Sequence, residues 1–88
     1  MISVEQIKAA RILLHLDQAE LARRAEVSLP TVQRMENPKL GPERSSLRIV
    51  QAIKGALEAS GIEFLDSRDG KGEGVRLRGP IPTQGAGG

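Results

Sequence analysis

Ser3, Asp17, Ser28 and then Ser45 or Ser46 each stand just before a run of apolar residues at helical spacing. This succession of caps constrains the fold more than any other feature of the sequence. An N-cap oxygen accepts a hydrogen bond from an otherwise orphaned amide of the first helical turn, so each of these residues marks a place where a helix can start. Asp17 and Ser28 lie so close together that only a short helix fits between them. The chain must therefore fold as short, tightly connected helices.

Ser3 and Gln6 form a predicted capping box. Ile7, Ala10 and Leu14 follow at helical spacing, with Val4 and Arg11 beside them. His15 falls where the chain must turn, and histidine tolerates the left-handed region there; Leu16 reaches back to the core. Asp17 and Glu20 predict a second box. Ala19, Leu21, Ala22 and Ala25 give the second helix a face of mostly small residues, against which another helix can pack closely. Ser28 caps a third helix with Pro30 in its first turn, where a missing amide hydrogen costs little; Val32 and Met35 point inward. Only Ala25-Glu26-Val27 separates the second helix from the third, about the spacing of a DNA-binding helix-turn-helix.

Asn37 to Pro42 reads as a loop, with two prolines and a glycine. Leu47, Val50, Ile53 and Leu57 then give a fourth helix its inward stripe, flanked by Ile49, Ala52 and Ala56. Gly55 weakens this helix and predicts a bend or a close contact; Gly61 is a natural stop. Ile62–Leu65 and Val75–Arg78 are the expected strands, around a polar Gly-rich turn. Ile62 and Phe64 share one face, Val75 and Leu77 another. The expected division is a helical DNA-binding unit over 1–61, a strand pair over 62–78 and a flexible tail over 79–88. The expected fold is mostly α: four helices plus a short C-terminal β-hairpin or an intermolecular sheet.

Composition removes several functions. Without cysteine and with one histidine, neither a disulfide nor a structural zinc site is expected. No apolar run is long enough to span a membrane. The N-terminus has no basic region followed by an apolar stretch, which predicts no signal peptide and a cytoplasmic protein. No nucleophile–base pair or metal cluster is apparent, and Gly70-Lys71-Gly72-Glu73-Gly74 lacks the spacing and hydroxyl of a phosphate-binding loop. No enzyme and no cofactor is expected. Phe64 is the sole aromatic residue, so binding by base stacking is excluded. The net charge of +2 is too small to indicate nucleic acid by itself.

Residues 7–36 resemble the phage-repressor, Cro-like family of helix-turn-helix regulators. The resemblance rests on Arg11-x-x-Leu14-x-Leu16-x-Gln18-x-x-Leu21-Ala22, then Ala25-x-Val27-Ser28-x-x-Thr31-Val32-x-Arg34-Met35-Glu36. The fourth helix extends it to about residue 57. It implies a lambda-repressor-like domain in which Ala22, Val27, Val32 and Met35 set the angle between the second and third helices. The third helix would then enter a major groove while the second lies across the backbone. It implies an ion pair between Arg11 and Glu36. It also implies base-facing roles for Ser28, Leu29, Pro30, Gln33 and Arg34. Gln can pair with adenine and Arg with guanine, while Leu29 and Pro30 offer apolar contact. Gln18, Thr31, Asn37 and Lys39 would meet phosphates, and Arg44 a phosphate or the minor groove. Arg23 and Arg24 are read as solubility charges. Glu26 departs from the pattern, which commonly has glycine in the tight turn; it brings backbone strain and a negative charge near the DNA.

An isolated two-stranded hairpin is marginal in water. The strands are therefore expected to join two chains, through Leu57, Ile62, Phe64, Val75 and Leu77, into a homodimer. The expected function is a dimeric regulator on an inverted-repeat operator. A reading of another class is an antitoxin that binds its own operator and neutralises a partner toxin; a co-purifying small protein would discriminate the two.

Overall fold

The structure, a computed structural model, describes residues 2–79. The predicted tail lies, apart from Gly79, outside the described residues. The elements run α1 (Val4–Leu13), α2 (Gln18–Ala25), α3 (Leu29–Met35), a 3-10 turn (Pro42–Arg44), α4 (Leu47–Ala59), β1 (Ile62–Leu65) and β2 (Gly74–Leu77).

The caps act much as the sequence predicts. Ser3 Oγ accepts from the Gln6 amide at 3.1 Å, and Gln6 Oε1 accepts from the Ser3 amide at 2.9 Å, completing the box. Ser28 caps α3 through the Thr31 amide and Ser46, not Ser45, caps α4 through that of Ile49. The second box is only half formed. Asp17 accepts from the Glu20 amide, but the Glu20 carboxylate turns to Arg23 and Arg24. Three charged hydrogen bonds from the two arginines outcompete one return bond to a backbone amide. His15 and Glu26 both adopt left-handed backbone, at φ 58 and 59, and so end α1 and α2 sharply.

Ile7, Ala10, Leu21, Val32, Met35, Ile53 and Leu57 are wholly buried. They come from all four helices, so the core sits where the helices cross. α2 packs on both α3 and α4, while α1 packs on α4 and β2. The loop after α3 returns under α1 at Gly41. Its φ is +64, and a Cβ there would meet Val4 Cγ2 at 3.1 Å, so glycine serves both conformation and space. Gly55 has nothing within 4 Å of a built Cβ, so the predicted close contact is absent.

β1 and β2 pair antiparallel within the chain, with Ile62 opposite Leu77 and Phe64 opposite Val75. The second strand starts one residue earlier than expected, at Gly74. Ile62 belongs to the core, and Phe64, Val75 and Leu77 pack against it. The far face carries the cross-strand pair Glu63–Arg76, 3.0 Å apart. Leu57 and Ile62, both expected at a dimer interface, are thus enclosed by their own chain. Phe64, Val75 and Leu77 are half-buried in the same way. The hairpin escapes the marginal stability of an isolated one because the helices cover its apolar face.

Candidate nucleic-acid interface

α3 is a seven-residue helix with two unlike faces. Val32 and Met35 lock one face into the core. Ser28, Leu29, Pro30, Gln33 and Arg34 are all exposed on the other, and Thr31 is half-buried at its edge. The turn before it is held by the Val27 amide donating to Ala22 O at 3.0 Å. Ala22 is buried and Val27 packs against the core, so the predicted seam between α2 and α3 is present. Leu29 is 37% exposed, an apolar side chain left in water beside polar neighbours.

Behind this surface lies one buried polar network. Glu36 is 3% exposed. Its carboxylate accepts from Arg11 Nε at 2.8 Å and from Arg11 Nη2 at 3.0 Å. Gln18 Nε2 donates to the same carboxylate at 3.1 Å, and Arg11 Nη1 donates to Leu16 O at 3.0 Å. The implied Arg11–Glu36 pair is therefore present as a two-pronged contact. The hydrogen bonds to Glu36 hold the Arg11 guanidinium above its ordinary pKa. Gln18, expected at a phosphate, has one amide hydrogen committed to Glu36, which ties the start of α2 to the end of α3.

Electrostatics then separate the surface. Glu20 sits between Arg23 and Arg24 on α2, and its hydrogen bonds with Arg23 and then Arg24 pull its pKa down to about 2. Arg24 also donates to Ser60 Oγ at 3.0 Å. Arg76 pairs with Glu63 and lowers its pKa. Arg34, Lys39, Arg44 and Arg48 form no ion pair among the described residues, and all are exposed. A chain of net charge +2 thus carries four unpaired cations from α3 to the first turn of α4, with Glu43 between Lys39 and Arg44. Asn37 Oδ1 accepts from the Lys39 amide at 2.8 Å and shapes the loop that carries Lys39.

Arg48 was not singled out by its sequence context. On periodicity it is merely an outward residue of α4, and only the packing of α4 on α2 brings it beside the turn before α3. No group of His, Cys, Asp or Glu among the described residues could hold a metal ion. No helix among them is long and apolar enough to cross a membrane.

No curated protein matches the chain. A profile of the helix-turn-helix family matches residues 7–52, just over half of the chain. That span runs from α1 through the unpaired cations into α4, and the four helices around one core fit the lambda-repressor-like fold that the motif implied. The short helices, the exposed α3 and the matched span agree: the chain belongs to the Cro/C1-type helix-turn-helix family of DNA-binding regulators.

Proposed function

We propose that the protein is a sequence-specific transcriptional regulator that binds an inverted-repeat operator as a homodimer, with α3 in the major groove. The observation that carries this reading is the split of α3: Val32 and Met35 are wholly buried, while Gln33 and Arg34 beside them are exposed. Such a helix is held rigidly by one face and offers the other to a ligand. Ser28, Leu29, Pro30, Gln33 and Arg34 face the bases in this reading. Gln18, Thr31, Asn37 and Lys39 hold phosphates, and Arg44 a phosphate or the minor groove. Phosphate contacts fix register, whereas base contacts carry sequence discrimination.

The test begins with duplexes selected from a random pool, followed by parallel titrations on the winner and on a scrambled duplex. Gln33→Ala and Arg34→Ala are expected to weaken the selected duplex more than the scrambled one, by roughly 1–3 kcal/mol of discrimination each. Lys39→Ala and Gln18→Ala are expected to weaken both alike, and Lys39→Ala to flatten the log–log salt slope by about one unit. Equal losses on both duplexes for Gln33→Ala and Arg34→Ala would remove them from base reading.

A further inference from the structure

Arg48 lies on the first turn of α4, one residue past Leu47, with its guanidinium exposed and free of any ion pair among the described residues. It shares a cleft of about 280 Å³ with the turn that precedes α3. Glu26, Ser28 and Thr31 line the same cleft, over an apolar floor that includes Val27 and Ile49. Three chemical features therefore meet in one hollow: a free cation, a pair of hydroxyls and a carboxylate.

The hydroxyls are arranged as donors. Ser28 Oγ and Thr31 Oγ1 are 2.7 Å apart, and Ser28 Oγ also accepts from the Thr31 amide. Whichever hydroxyl donates within this pair, the other keeps a hydrogen directed elsewhere. A guanidinium presents its donors in a planar fork that matches phosphate oxygens. Glu26 acts in the opposite direction. Its left-handed backbone fixes it at the turn, in the cleft with Arg48 but not paired to it.

We propose that this cleft seats a phosphate of the DNA backbone, gripped by Arg48 and the Thr31 hydroxyl, which Ser28 Oγ positions from 2.7 Å, and that Glu26 is a counter-charge in the same seat that limits the grip. The inference rests on the reading that α3 enters the groove, since the groove wall then passes the turn beside it. It adds Arg48 as a DNA contact and gives Glu26 a function, that of setting affinity without reading sequence.

The experiment is fluorescence anisotropy of the full chain on two labelled duplexes, one selected from a random pool and one of fixed arbitrary sequence, across a salt series. Arg48→Gln is expected to weaken both duplexes by about five- to tenfold at 0.1 M salt and to lower the log–log slope by about one unit. Glu26→Gln is expected to tighten both. Thr31→Val is expected to weaken both with a smaller change in slope, because it removes a neutral donor. Lys54→Gln is the control: Lys54 stands over the Phe64 ring, 6.0 Å from its centroid, and its loss should change nothing. Matching thermal melts confirm that each variant is folded. If Arg48→Gln leaves affinity and slope unchanged while Arg34→Ala and Lys39→Ala reduce them, the cleft is not a phosphate seat and the groove reading stands. If Lys54→Gln lowers the slope as much as Arg48→Gln, the effect is one of general charge and the seat is likewise overturned. If the unaltered chain binds neither duplex, the groove reading itself falls and this inference with it.

Discussion

Glu36 is a carboxylate buried beside Met35 and Val32, and burial of a charge is tolerated only where its lone pairs are met. Arg11 supplies two hydrogen bonds and Gln18 a third. Removing Arg11 alone strands the charge, whereas removing both partners removes the problem. Arg11→Met is therefore expected to destabilise the protein by about 3–5 kcal/mol, towards the lower figure because the Arg11 side chain stays 19% exposed. Arg11→Met combined with Glu36→Leu is expected to recover most of that loss. Urea titrations of the two variants check it; equal destabilisation by the single and the double change would show that packing, not the stranded charge, is responsible. The two ends of this pair were legible as matches to a family pattern. Gln18 as their third member was not, since nothing in one sequence says that a residue at the start of α2 lies against the end of α3.

Gln6 joins two elements. Its Oε1 completes the cap of α1, and its Nε2 donates to Leu65 O at 3.2 Å and Gly74 O at 2.9 Å, the last pair of the hairpin ladder before the loop. One side chain thus fastens the loop end of the hairpin to the start of the first helix. A glutamate can serve the cap but has no hydrogen for the two carbonyls when ionised. Gln6→Glu is expected to leave α1 intact and to loosen the hairpin by about 1–3 kcal/mol. Hydrogen exchange separates the two roles: β1 and β2 amides should lose protection while those of α1 keep theirs. Uniform loss across both elements would mean that the hairpin and the helices open as a single unit. The capping role followed from the spacing of Ser3 and Gln6, because the box is local. The latch bridges nearly the whole described chain, so only the folded arrangement reveals it.

In the proposed function the molecule offers one short recognition helix, which would span only a few base pairs and bind weakly alone. The proposed homodimer adds a second helix at a fixed distance, near one DNA turn, ~34 Å. Ending the chain near residue 61 is not a clean test of it, since Ile62 is 1% exposed in the core. Sedimentation of the full chain with a selected duplex is the better measurement, and two chains per inverted repeat, but one per half-site, are expected. Phe64→Ala, at the half-buried hairpin, should weaken the assembly, while Ile12→Lys, on the exposed flank of α1, should leave it intact. The reverse result would move the interface to α1, and one chain per full site would remove the dimer.

The sequence alone determined what depends on near neighbours: the starts of α1, α2 and α3, the turn at His15, most of each inward stripe, and the two strands to within a residue; Leu47, read as inward, is 63% exposed. Caps, turns and periodicity act over a few residues, and their energies are set before any long-range contact forms. The family pattern carried the reading further, to the seam of α2 with α3 and the Arg11–Glu36 pair. Tertiary structure decided where surfaces end up. Leu57 and Ile62, read as part of an interface between chains, are buried against their own chain, because burial there needs no second molecule, while Phe64, Val75 and Leu77 stay half-buried. Arg11, Arg23, Arg24 and Arg76 are taken up in ion pairs while Arg34, Lys39, Arg44 and Arg48 are not, a difference that a sum of +2 conceals. Charge and apolar area are properties of a surface, and a surface exists only once the chain has folded.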